Sequence, residues 1–328
     1  MRKKLISIAV AVITLTALCY ANEDTAAPFH IFYRAAPPSP VSQSLAGAGI
    51  AMEPDGFGGL VNPALTNAEK QAQGVFAAGF GRSALFDQVI LPVAAVIADQ
   101  NGMMGAYYRY MRGGSGSAHN LVVNFAGTLF EQVDRQGAVE FGMNLRYEGS
   151  NMQHSILDAE ENELTYVVHG KSVMMDIGFY QSHVYPGLDF AVVIYDVTGY
   201  IQRDVDFKNR ESGWSSAAQI SWAAGALYTL PLWSAVELRV PLDLEVVNMF
   251  TDKLPTKYIV RTGAEVRVSQ MYCVRFGYAH APESPLDLIS DFDYRNLFFG
   301  GAGVRVQSVQ VDFFAGKDEF GISATYRY

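Results

Sequence analysis

The chain has 328 residues, half of them apolar, 12% aromatic and only 17% charged, with 24 Lys or Arg against 33 Asp or Glu. A net charge of −9 offers no basic patch for nucleic acid, and so large an apolar share excludes a disordered chain. No stretch holds the roughly 18 unbroken apolar residues of a spanning helix, which leaves a large soluble β protein or a membrane β-barrel.

Met1-Arg2-Lys3-Lys4 is followed by an apolar run from Leu5 to Leu18 and then by Cys19-Tyr20-Ala21. A charged start, a short apolar core and small residues at positions −3 and −1 of a cut after Ala21 predict a signal peptide over residues 1–21. A lipoprotein would carry its lipid on Cys19, but Leu18 stands where a lipobox has a small residue. Cleavage would remove three cations and shift the net charge from −9 to −12. Cys273 would remain as a lone thiol, which excludes an intrachain disulfide and cysteine zinc sites.

Residues 22–73 differ in texture from the rest of the mature chain. Pro28, Pro37, Pro38 and Pro40 disfavour strands. Ser42–Met52 is small and mildly apolar and predicts a short helix, and Glu53-Pro54-Asp55-Gly56 signals a turn. Asn62-Pro63-Ala64 comes next. Pro63 biases Asn62 away from helix, and the Asn62 side chain is placed to satisfy nearby backbone groups.

From Gly74 to the end, residues 74–328, the pattern has period two. Val139, Phe141, Met143, Leu145 and Tyr147 alternate with Glu140, Gly142, Asn144, Arg146 and Glu148. Val260, Thr262, Ala264, Val266 and Val268 alternate with Arg261, Gly263, Glu265 and Arg267. Such runs reach the roughly 9–11 residues of a tilted spanning strand, longer than the 5–6 typical of soluble sheets. A soluble β-sandwich with one wet face would alternate in the same way. Aromatic clusters at Tyr107, Tyr108 and Tyr110, at Tyr272, Phe276 and Tyr278, and at Phe298 and Phe299 are expected at the membrane interfaces.

About fourteen strands are predicted, starting near Gly74, Phe86, Gly102, Asn120, Ala138, Lys171, Leu188, Ser215, Ala235, Tyr258, Met271, Asn296, Val309 and Glu319. The predicted fold class is all-β, a closed antiparallel transmembrane barrel. The longest connections are expected at Ser150–Gly170, Gln202–Gly213 and Ala281–Arg295, on the extracellular side. The last residues, Phe320 to Tyr328, alternate up to the terminal aromatic. A strand there must pair on both sides or leave an open edge, and closure against the first barrel strand satisfies it. Tyr326 and Tyr328 resemble the C-terminal signal of bacterial outer-membrane barrels, which implies the barrel-assembly machinery as a partner.

The segment SLAGAGIAMEPDGFGGLVNPALTN, Ser44–Asn67, resembles the N-terminal motif of the FadL and PorV/PorQ families of outer-membrane barrels, matched here by Gly47, Gly49, Asp55, Asn62, Pro63 and Ala64. VRFGYAHAP, GGAGVRV, VDFFAG and ISATYRY are similar to the last strands of PorV-like proteins. The resemblance implies a fourteen-stranded barrel in the outer membrane of a diderm bacterium, with residues 22–73 folded into the lumen as a hatch. It also implies passage of an apolar ligand such as a long-chain fatty acid, or, in PorV-like members, a role in protein secretion at the cell surface.

Catalytic chemistry is not signalled. His30, His119, His154, His169, His183 and His280 form no metal-binding pair. Gly113-Gly114-Ser115-Gly116-Ser117 falls one residue short of a nucleophile elbow and reads as a loop. The expectation is a non-enzyme without cofactor or metal, a barrel enzyme being the third alternative. The inward faces carry Arg146, Arg239, Arg261, Arg267, Arg275 and Arg305, with Glu140, Glu148, Glu237, Asp243, Glu245 and Glu265 among them. These charges predict an ion-pair network filling the lumen. Alternatively, one arginine left unpaired would catch a ligand carboxylate with its planar fork.

Overall fold

The computed structural model describes residues 39–328 apart from 53–54, 70–71, 84–87, 100–101, 114–115, 131–136, 158–162, 208–209, 218–219, 248–256, 281–295 and 317–318. The proposed signal peptide, residues 22–38 of the expected hatch and the expected connection Ala281–Arg295 lie outside the described residues.

Fifteen strands succeed one another: β1 Gly74–Ser83, β2 Gln88–Asp99, β3 Gly102–Gly113, β4 Gly116–Phe130, β5 Val139–Leu157, β6 Glu163–Tyr185, β7 Leu188–Phe207, β8 Arg210–Ala217, β9 Ser221–Trp233, β10 Val236–Val247, β11 Lys257–Val268, β12 Tyr272–His280, β13 Asn296–Val306, β14 Val309–Gly316 and β15 Glu319–Arg327. Each pairs antiparallel with its neighbours. β8 and β9 pair with successive halves of β7, Phe207↔Arg210 to Tyr200↔Ala217 and then Tyr195↔Ser221 to Leu188↔Tyr228. Together they form one stave, so the wall has fourteen.

β15 closes the ring on β1, from Val75↔Arg327 to Ser83↔Glu319. The seam continues past the last strand: Tyr328 donates its N–H to the Gly74 carbonyl (3.1 Å) and accepts from Gln73 N (2.7 Å). Its ring stacks on Phe76 at 5.8 Å. Deleting Tyr328, or replacing Tyr326 with Asp, should therefore lower the amount of heat-modifiable barrel in membranes without blocking export. A lipid-facing charge costs about 2–4 kcal/mol at mid-membrane and less near an interface, so the main effect should fall on assembly. Wild-type membrane levels in both variants would refute this role for the seam.

The wall is apolar outside and polar inside. Leu91, Val93 and Ile97 on β2, Leu121 and Phe125 on β4, and Phe320, Ile322 and Tyr326 on β15 are exposed on the outer face. Arg109, Asn120, Asn124, Asn144, Arg146, Asp243, Glu265 and Asp312 are buried on the inner face. A continuous exposed apolar belt around buried charges is the pattern of a barrel solvated by lipid. Tyr185 (69% exposed) and Trp233 (72%) mark the belt's edge beside turns, where amphipathic rings favour the interface. Tyr108 fits the expected girdle at 43% exposed, but Tyr107, at 1%, does not. Being one residue out of phase, it turns inward and its hydroxyl meets Thr66 Oγ1 at 2.9 Å.

Turns 186–187, 234–235, 269–271 and 307–308 lie at the end that holds both termini of the barrel. At the opposite end two expected loops prove to be strand. β5 and β6 stay paired from Ser150↔Gly170 to Leu157↔Glu163, and β7 pairs β8 across Gln202–Gly213. Beyond the hydrocarbon core neither face meets acyl chains, so the apolar alternation fades while the backbone ladder continues.

Residues 39–69 are built differently. They contain α1 Pro40–Ser44, α2 Gly58–Val61 and a 3-10 helix Pro63–Glu69. The helix expected over Ser42–Met52 is shorter and begins earlier. Ser39 caps it, its Oγ accepting from Ser42 N at 3.1 Å. It stops where Ala46 (φ 56°) and Gly47 (φ 85°) enter left-handed backbone that helix cannot use.

Candidate functional site

The residues of the glycine- and asparagine-containing motif meet the inner wall one by one. Gly49 and Ile50 donate backbone N–H groups to Asp243 Oδ2 on β10, at 2.7 and 3.1 Å. The Asp55 carbonyl accepts from Thr325 on β15. Asn62 is fully buried. Its Nδ2 donates to the carbonyls of Ile50 (3.0 Å) and of Phe179 on β6 (3.2 Å), while its Oδ1 accepts from Ala64 N (3.0 Å). One amide thus closes its own turn, ties back to an earlier turn and anchors both to the wall.

Flanking groups complete the seat. The Pro63 carbonyl accepts from Asn124 Nδ2 on β4 (3.1 Å), that of Gly59 from Asn144 Nδ2 on β5 (2.9 Å), and that of Val61 from the Tyr195 hydroxyl on β7 (2.9 Å). Asn67 reaches Glu140 on β5. Residues 39–69 are therefore bonded to strands on several sides of the ring and occupy its interior. The wall makes room with glycines: a side chain at Gly142 would overlap the Pro63 backbone, and one at Gly178 the Asn62 amide. Sequence reasoning missed Asn124, Asn144 and Tyr195. The available signal was an amide on the inward phase of neighbouring strands, where a water-filled lumen requires no such group.

Asp55 is buried, accepts from Ser39 Oγ and takes the Phe57 N–H at 3.1 Å. Burial, with the nearby Asp312 charge, pushes its carboxyl up to about 6, against the opposing pull of those hydrogen bonds. Seating the segment with Asp55 ionised therefore costs free energy. That cost is absent below about pH 4, grows between about pH 4 and 6 and is fully present above 6.

Five of the inward arginines fall into three groups. Arg146 meets Asp176 (3.1 Å), Glu148 (3.5 Å) and Asp196. Asp196 gets there through a bulge: β7 has two extra residues between Ile194 and Thr198, opposite Met175–Ile177. Its backbone is left-handed at φ 56°, and its N–H binds Asp176 Oδ1 at 3.0 Å. Bulges re-aim a side chain in this way. The second group centres on Glu265, which meets Arg239 (3.1 Å), Arg267 (3.1 Å) and Arg275 (2.6 Å), with Arg275 also on Asp312 (2.8 Å). The third is Arg261 with Glu245 at 2.6 Å. Arg305 stands near the turn end beside Arg267 and Gln310, lining a cavity of about 20 Å³. It makes no ion pair with any of the described residues.

Solved structures share this architecture. The "CymD monoaromatic hydrocarbon channel" superposes with a TM-score of 0.59 at 13% identity, covering 89% of this chain and 98% of that one. The toluene transporter TodX of P. putida gives 0.59 at 9% identity, covering 88% and 97%. A Pseudomonas aeruginosa FadL homologue gives 0.56 at 10% identity, covering 87% and 97%. At such identities the likeness establishes the fold, a FadL-like barrel. No family model matches the chain, and no curated protein matches it by sequence.

Proposed function

We propose that this protein is an outer-membrane barrel that passes hydrophobic or amphipathic small molecules, with residues 39–69 as the hatch. The observation that carries this reading is the seat of the segment. It is held in the lumen mostly by side-chain hydrogen bonds to the wall, with no strand of its own in the ladder. Such an attachment can be released without opening the barrel, because each bond is worth only about 1 kcal/mol net. The fold supports it by analogy, since the similar structures are named as hydrocarbon or toluene transporters or as a FadL homologue, not as enzymes.

The paired arginines then rigidify the lumen, and Arg305 is the one placed to catch an anionic end group near the turn end. Purified protein in liposomes should take up a fluorescent long-chain fatty acid or a small aromatic hydrocarbon faster than protein-free liposomes. Uptake no faster than the protein-free control across several apolar ligands would overturn the transport reading in favour of a PorV-like secretion accessory.

A further inference from the structure

On the outer wall, at the end opposite the tight turns, a groove of about 430 Å³ is lined by Ser117, Tyr147, His169, Lys171, Asp204 and Asp206 together with His119 and Asn151. This volume lies in the range of small-molecule sites. Its floor is open because Gly149 carries no side chain. A Cβ there would strike the His119 ring, which packs on Tyr147 at a centroid distance of 5.9 Å.

The lining side chains share the outward phase of their strands. His119 continues above exposed Leu121, Lys171 above exposed Val173, and Asp204 and Asp206 above exposed Tyr200. From Tyr185 at the belt's lower edge up to Lys171, a rise of about 3.3 Å per residue at a tilt near 40° gives about 35 Å, past the roughly 25 Å apolar band. The groove therefore sits at headgroup level, directly above wall that faces acyl chains.

Its charges differ from those of the lumen. Lys171, Asp204 and Asp206 form no ion pair with any of the described residues, although His169 and Asp204 are direct cross-strand partners and Lys171 is the next outward residue on β6. Among the described residues, Asp204 accepts weakly from Gln202 Nε2 at 3.3–3.4 Å. His169 Nδ1 is held by Asn151 Oδ1 at 2.7 Å, which fixes the ring at the groove's centre. A cation and two carboxylates facing one cavity complement a ligand that carries both signs.

We propose that this groove binds the zwitterionic headgroup of a phospholipid from the surrounding leaflet. The phosphate meets Lys171 and the Ser117 hydroxyl, the primary ammonium meets Asp204 and Asp206, and the acyl chains descend along Leu121, Val173 and Tyr200. The site is separate from the lumen and does not depend on transport.

The test is native mass spectrometry of the full chain in dodecyl maltoside, with palmitoyl-oleoyl phosphatidylethanolamine or the corresponding phosphatidylglycerol added. Wild type should retain the ethanolamine lipid about tenfold more than the glycerol lipid, the worth of one charge-assisted hydrogen bond. D204N/D206N should reduce that preference to near unity, and K171Q should weaken retention of both lipids. Heat-modifiable migration should show all variants folded. Equal retention of the two lipids by wild type overturns the proposal. So does a preference that survives D204N/D206N, or a lipid-free dimer that covers the groove. Free phosphoethanolamine retained as strongly as the lipid would also overturn it, by making the ligand a soluble molecule and not a membrane lipid.

Discussion

Arg146→Met should destabilise the folded barrel by about 3–5 kcal/mol, the usual cost of removing one partner from a buried ion pair. The substitution leaves Asp176, Asp196 and Glu148 facing one another in a closed lumen, with the guanidinium that joined β5 to β6 and β7 gone. The triple variant Arg146→Met with Asp176→Asn and Asp196→Asn should recover most of the loss. It removes two of the three orphaned charges and keeps an acceptor for the Asp196 N–H. Arg146→Lys should fall between, because one ammonium nitrogen cannot take both places from which the two guanidinium nitrogens meet Asp176 and Asp196. Urea unfolding of the barrel in detergent micelles measures all three. A single variant as stable as wild type would show that these charges neither hold the bulge nor brace the wall. Uptake by the triple variant separates bracing from ligand capture. If the network only braces, uptake persists once stability is restored.

Asn62→Ala should release the N-terminal segment while leaving the barrel ladder intact. The truncation takes the amide partner from the carbonyls of Ile50 and Phe179 and from the Ala64 N–H. Unpaired groups of this kind cost about 1–3 kcal/mol each, and partial relaxation brings the total to about 2–4 kcal/mol for seating. Backbone amides of residues 39–69 should then exchange with deuterium about 30-fold faster or more, by the free-energy arithmetic of a pre-equilibrium opening. Strand amides should keep wild-type protection. Adding Pro63→Gly should increase the effect, since Pro63 packs against the positions of Gly142 and Gly178. Unchanged exchange would make Asn62-Pro63-Ala64 a simple linker turn. Faster exchange with wild-type uptake would show that the segment is released without gating passage.

The barrel is legible in the residues alone. A wall between lipid and lumen imposes apolar-out, polar-in alternation on each strand, and that constraint is local, so it is readable in runs such as Val139–Glu148 and Val260–Val268. The closing strand was legible for the same reason, as was the change of texture before Gly74. The strands outside the bilayer were not. Ser150–Gly170 and Gln202–Gly213 have no phase that faces acyl chains, and only backbone pairing across the hairpins makes them strand. Which charges meet was likewise settled in three dimensions. Arg146 and Asp196 are fifty positions apart and come together through a register shift between β6 and β7. Gly49 and Asp243 meet across the lumen, with no strand pairing to link them. Register and lumen depth are set by closure of the whole ring, a property no window of sequence contains. The same holds for Asn62: its place in a turn could be read from Pro63, but its hold on Phe179 required the opposite wall.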